Sequence, residues 1–445
     1  VPNKGSHFMT WFKSLTLAGR ELLPIVQGGM GVGVSAHRLA GAVASQNAVG
    51  TIASVDLRHH HPDLIEQTED CRDREQIDNA NLVALDREVR AALDTAQGRG
   101  VVAVNVMKAV RDHPALVRQA CESGAQAIVM GAGLPLDLPD MTADYPKVAL
   151  VPILSEARGV AAVLKKWMKK GRMADAVVIE HPGYAGGHLG AARLDDIHDE
   201  RFDFKRVLAE CRQLFQDLQL GRDAPRLIVA GGVGSHEQVR HWLGNGADGV
   251  QVGTAFAVTR EGDAHENFKR VLMEADPDNL AEFTSVAGLP ARAVPTPWLT
   301  RYLRQEKTLQ ENTRCDARRC SQRMDCLTQC GLRDGIARAP MLSARTRAAL
   351  LALARRRFFG RRLGAHRSGH QPVQPWKRRR RLDPHSRSSY RPRRTEAFLR
   401  SYPAIPGRFP LRRCHQSGRA GTLGARHGDG AEPHGRARPA RLAFT

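Results

Sequence analysis

Arg226-Leu-Ile-Val-Ala-Gly-Gly-Val233, followed sixteen residues later by Gly249-Val-Gln-Val-Gly-Thr254, repeats one design twice: a short β-branched apolar run that ends in glycine. A run with no polar alternation reads as a strand buried on both faces, as in a parallel sheet covered by helices. The gap between the runs accommodates one helix, Ser235–Leu243, which Ser235 can cap. Glycines at a strand end leave bare N–H groups facing outward, and the following helix offers its N-terminus, so each turn can cradle a phosphate. Two adjacent strands ending this way correspond to the phosphate site after the seventh and eighth strands of a (β/α)8 barrel.

Working outward, eight runs of this kind occur: Pro24–Met30, Val49–Val55, Val101–Met107, Ala127–Gly133, Ala149–Ser155, Ala176–His181, Arg226–Val233 and Gly249–Phe256. They predict an α/β chain with a TIM barrel over residues 21–260. A doubly wound sheet is the competing reading. The barrel is preferred because glycine or polar residues follow several different strands, as when one rim gathers a site. Helices are expected over Ser35–Gln46 with a Ser cap, over the polar stretch Asp63–Ala96, and over Gly262–Glu274 and Pro297–Gln310. Residues 1–20 read as an N-terminal extension, with Val1–Phe8 upstream of a plausible start at Met9. Residues 261–338 read as a helical appendix with a Cys segment, and residues 339–445 as an Arg-rich low-complexity tail.

The net charge of +21 invites a nucleic-acid or membrane reading. From Met341 to Thr445, however, there are 26 Lys and Arg against 4 Asp and Glu, which leaves the first 340 residues close to neutral. Arg makes up 25 of those 26. Mixed with Gly, Pro, Ala and His, that is the composition an out-of-frame reading of GC-rich DNA produces, so a frameshift near Ala339–Ser343 is expected rather than a nucleic-acid-binding tail. No apolar run reaches the roughly 20 residues a membrane-spanning helix needs, and no signal-peptide pattern is evident. A cytoplasmic enzyme with mostly reduced cysteines follows as the expectation. Cys315, Cys320, Cys326 and Cys330 are separated by four, five and three residues, without the C-x2-C knuckle usual in zinc and iron–sulfur sites, so no metal is expected.

A second constellation follows the sixth run: Tyr184-Ala-Gly-Gly-His188, where glycines let a backbone and an imidazole approach a flat ligand, and a neutral imidazole can take a proton near neutral pH. His181 reads as a packing residue. Glu180 either orients part of the site or ends the strand. Gln27-Gly-Gly-Met-Gly31 lets the main chain pass close to a ring system, and Asn105 can bond the edge of a heterocycle.

Pro24-Ile-Val-Gln-Gly-Gly-Met30, Val104-Asn-Val-Met107, Ala185-Gly-Gly-His188 and Val229-Ala-Gly-Gly232 with Gly246-Ala-Asp-Gly-Val-Gln-Val-Gly-Thr254 together resemble the nitronate monooxygenases, from about Leu22 to Asp334. The resemblance implies non-covalent FMN. Gly28, Gly29 and Met30 would line its isoalloxazine, Asn105 would meet the ring or ribityl chain, and Gly186 and Gly187 would lie beside it. Gly231, Gly232, Gln251, Val252, Gly253 and Thr254 would take the phosphate end. His188 matches the family's catalytic histidine, which removes the α-proton of a nitroalkane or contacts the nitronate while O2 completes denitration to a carbonyl compound and nitrite. A homodimer is compatible with it. Where many members have a short Glu-Ala-Gly-Gly-His, this chain has Glu180-His-Pro-Gly-Tyr-Ala-Gly-Gly-His188. The added Tyr184 can close the pocket or present a hydroxyl, which bears on the substrate more than on the flavin. Two alternatives are an NAD(P)H-dependent flavin reductase of the same fold, acting on an enoyl thioester or quinone, and an RNA-binding protein working through its tail.

Overall fold

Each of the eight apolar runs contains one parallel strand: β1 (Ile25–Gln27), β2 (Val49–Ala53), β3 (Val101–Met107), β4 (Ala127–Gly131), β5 (Ala149–Leu154), β6 (Ala176–Glu180), β7 (Arg226–Ala230) and β8 (Gly249–Val252). They pair in chain order, and β8 returns to β1 through Val250 opposite Ile25, closing the barrel. A doubly wound sheet would leave two edges, and here there are none. This computed structural model describes residues 13–304 apart from 69, 70, 72, 189, 285–289, 297, 298 and 301, with only the backbone of Gly187 and His188. The Cys315–Cys330 segment and the basic tail lie outside the described residues.

Alternation along the strands divides the core. Val49, Val101, Ala103, Val129, Val151 and Val178 point into the barrel. Ile52, Val102, Val104, Ile128, Val177 and Ile179 point outward to the helices. Leu15, Leu17 and Leu22 pack with the inward set, so the segment expected as an extension contributes an antiparallel hairpin, Leu15–Leu17 with Arg20–Leu22, to the barrel core. β1 and β2 share a single register pair, Val26 with Val49. The buried side chain of Gln27 completes the joint: its Nε2 donates to the Thr51 carbonyl at 3.0 Å and its Oε1 accepts the Thr51 N–H at 2.8 Å.

Several element boundaries differ from the sequence reading, each for a local reason. The first helix is His37–Ala44 and Ser35 does not cap it, because the Ser35 hydroxyl accepts the Met30 N–H. Its exposed N–H groups go to a distant carboxylate: Asp263 accepts from Ala36 at 2.8 Å and Leu39 at 3.1 Å. That role also shortens the expected Gly262–Glu274 helix to Glu266–Met273, capped by His265. Asp63–Ala96 divides into Pro62–Thr68 and Arg74–Ala96, the second opened by Asp73 accepting the Glu75 N–H. The helix after β7 follows the reading, with Ser235 and Gln238 forming a reciprocal capping box.

The appendix is not wholly helical. Ala281–Thr284 and Pro290–Ala293 pair antiparallel, and the second strand pairs in turn with Gly187–His188. The loop after β6 thereby gains a hydrogen-bonded partner from about a hundred residues downstream.

Candidate functional site

The C-terminal ends of the barrel strands bring the expected residues to one rim. β8 and β1 are neighbours, and the Gly28 N–H donates to the Val252 carbonyl at 3.0 Å. Val252 turns its side chain into the outer core, so it borders the site through its backbone. A Cβ on Gly28 would come within 3.2 Å of the Gln251 side chain, and one on Gly29 would stand 2.4 Å from the Cβ of Asn105, a separation no real side chain adopts. The Gly253 Cβ position lies 3.7 Å from the Met30 sulfur. Gly28, Gly29, Met30, Asn105, Gln251 and Gly253 thus form one continuous patch across β8, β1 and β3, kept low by missing side chains. The amides of Asn105 and Gln251 make no hydrogen bond to another described residue, leaving donors and acceptors for a ligand edge.

Beside this patch lies the turn after β7. Gly231 has φ of 115° and Gly232 has φ of 69°, conformations that favour glycine. Their N–H groups, like that of Gly253 on the neighbouring turn, have no acceptor among the described residues. Past Val233, the N–H groups of Gly234 and Ser235 are engaged, donating to Gln238 Oε1 at 2.8 and 3.0 Å. The glycine turns therefore keep unspent donors that an anion could meet. Thr254 opens the short helix Thr254–Ala257 at the same rim.

The loop after β6 packs against the turn after β7. Its chain folds tightly around His181, whose N–H donates to the Ala230 carbonyl at 3.0 Å and whose carbonyl accepts from Tyr184 and Ala185. His181 Nδ1 accepts the Gly183 N–H at 3.0 Å. Burial holds its pKa below the ordinary histidine value, consistent with a neutral ring in a packing role. The expected catalytic His188 sits one turn further on. Its backbone is fixed opposite Ala291, and its side chain lies outside the described residues. Gly187 pairs with Arg292, and Gly186 is exposed with no atom within 4 Å of its Cβ position, so this side of the loop is open.

Two residues gain importance from the structure. Arg292 reaches back from the late hairpin, its Nη1 donating to the Gly183 carbonyl at 2.6 Å, and no local motif marks it in the sequence. Glu180 ends β6 at an inward position, two residues after Val178. No described residue bonds its carboxyl, and burial pushes its pKa up to about 7.

The chain is thus a closed (β/α)8 barrel with paired glycine turns at the ends of β7 and β8 and a flat glycine-lined patch beside them. The nitronate monooxygenase family model matches residues 18–350, and the chain belongs to that family of flavin-dependent oxidoreductases. A protein of Bacillus subtilis (strain 168) described as a probable nitronate monooxygenase is 27% identical over 321 residues, 65% of this chain and 86% of its own. A putative nitronate monooxygenase of Saccharomyces cerevisiae is 30% identical over 127 residues, 27% of this chain and 31% of its own. Among solved structures, nitroalkane oxidase from Streptomyces ansochromogenes aligns with a TM-score of 0.46 and 21% identity, covering 63% of this chain and 78% of that one. FabK from Thermotoga maritima aligns with a TM-score of 0.44 and 20% identity, covering 64% and 74%. No helix among the described residues is long and apolar enough to cross a membrane.

Proposed function

We propose that the chain is an FMN-dependent nitronate monooxygenase, oxidising alkyl nitronates or their parent nitroalkanes with O2 to a carbonyl compound and nitrite. The observation that carries this reading is the unspent backbone donors of Gly231, Gly232 and Gly253 beside the glycine-lined patch of β1, β3 and β8. That arrangement fits a phosphate monoester at one end and a ring edge, met by the Asn105 and Gln251 amides, at the other. Bound FMN supplies the electron acceptor and the means of passing electrons to O2.

The chain's own groups divide the remaining work. Gly28 and Gly29 keep the floor flat, and Gly186 keeps the approach on the β6 side open. His188, carried on the strand paired with Ala291, offers the imidazole that takes the α-proton of a neutral nitroalkane or bonds the oxygen of a nitronate. The family match supports this assignment of His188, since Ala185-Gly-Gly-His188 is the motif in which the resemblance places the catalytic base.

The test is the visible spectrum of the full chain under anaerobic conditions, before and after adding a small alkyl nitronate and, separately, NADH and NADPH. The proposal expects a yellow protein whose flavin bleaches with nitronate alone. Bleaching by a nicotinamide nucleotide alone would move the assignment to a flavin reductase, and a colourless protein that takes up no FMN would remove the cofactor from the account.

A further inference from the structure

Tyr184, on the loop after β6, lies directly against the glycine turn after β7. Its Cβ is 3.1 Å from the Cβ position of Gly231, and its Cγ is 3.3 Å from that of Gly232. Tyr184 is 57% exposed, among the most exposed large hydrophobic residues of the described chain.

Its position is nonetheless fixed. The Tyr184 N–H is tied to the His181 carbonyl at 3.1 Å, and the two rings pack with centroids 4.5 Å apart. His181 in turn meets the edge of Phe204 at 5.4 Å, and Phe204 packs on Trp242 of the helix following the turn at 4.8 Å. Arg292 holds the carbonyl of Gly183 beside it. Tyr184 therefore backs both glycines on their Cβ side, its ring against Gly232 and its Cβ against Gly231, while their N–H groups remain unspent.

We propose that Tyr184 is a cofactor-retention residue, whose ring closes the solvent side of the Gly231–Gly232 turn over a bound phosphate monoester. This rests on the reading of that turn as the FMN phosphate site. A wall of this kind excludes water from the contact between backbone N–H groups and phosphate oxygens, which strengthens their attraction in the lower local dielectric. It also requires the ring to move before the phosphate can leave, so its contribution falls mainly on the dissociation rate.

The test compares FMN and riboflavin, which differ by the phosphate, binding to the flavin-stripped full chain and followed by flavin fluorescence. Tyr184→Ala should weaken FMN about tenfold, chiefly through faster release, a size typical of one lost aromatic packing partner. Riboflavin affinity should change little, and Tyr184→Phe should behave as wild type, because the ring and not the hydroxyl forms the wall. Melting temperatures of the stripped proteins verify that the variants fold. An unchanged FMN affinity in Tyr184→Ala would overturn the inference, and so would equal weakening of FMN and riboflavin, which would place the ring against the heterocycle instead. A wild-type chain that binds neither flavin would overturn the cofactor reading itself, an outcome visible without any variant.

Discussion

The turn after β7 and the loop after β6 lie side by side on one rim and are built by opposite means. The first is local: an apolar strand, two glycines with positive φ and a self-capped helix, all within Arg226–Gly244. Its chemistry is backbone N–H groups that need no side chain. The second depends on distant residues, with Gly187–His188 held by the strand Pro290–Ala293 and Gly183 held by Arg292. The side chain it is expected to offer does chemistry only if that remote support is in place. Cofactor binding should thus follow from a short stretch of chain, whereas turnover should be vulnerable to changes a hundred residues away.

The sharpest way to break this comparison is at Gly231. Alanine there meets a φ of 115° and a Tyr184 Cβ at 3.1 Å, so the turn must deform. Gly231→Ala should purify almost free of flavin, read as the ratio of visible to ultraviolet absorbance, and full flavin occupancy would show that the N–H groups of this turn are not the anchor. A smaller and different effect is expected on the other side of the rim. Arg292→Ala removes the bond to the Gly183 carbonyl and loosens the strand beside His188. It should keep its flavin but lose roughly tenfold or more in kcat, the scale of a misplaced catalytic group. Loss of flavin with kcat per bound flavin unchanged would reverse the division of labour.

The smallest effect concerns Glu180, between the two regions. Burial raises its pKa from 4.5 to about 7, so the folded chain holds that proton more tightly than the unfolded chain does. Stability linked to it is fully present below the unfolded value and is lost as pH rises through about 7. Glu180→Gln removes that loss. Relative to wild type, the variant should gain melting temperature at about pH 8 compared with about pH 5, and parallel curves for the two proteins would show that the carboxyl is not desolvated.

The same contrast explains what the sequence could reveal. The eight strands are legible because each is a continuous apolar run, and the paired glycine turns because their glycines adjoin the strands they terminate. Ser35 misled because a good capping residue was drawn to the Met30 N–H, while the helix took its acceptor from Asp263, more than 200 residues away. The four-residue strands Ala281–Thr284 and Pro290–Ala293 carry too short a pattern to identify alone, and their pairing with Gly187–His188 is a property of the closed fold. Arg292 was invisible for the same reason, since its partner is a main-chain carbonyl that no motif encodes. The sequence marks Gln27 only as the start of a glycine turn, although its amide joins β1 to β2.

In the proposed function, a backbone-bound flavin and the His188 imidazole act together on a nitronate or nitroalkane. The most direct measurement is aerobic nitrite release from a small nitroalkane by the wild-type chain and His188→Asn, with flavin content determined on the same samples. Equal flavin is expected in both, with turnover lower by about a hundredfold or more in the variant, the usual contribution of a general base. Wild-type rates from His188→Asn, or no nitrite from a flavin-loaded wild type, would contradict it.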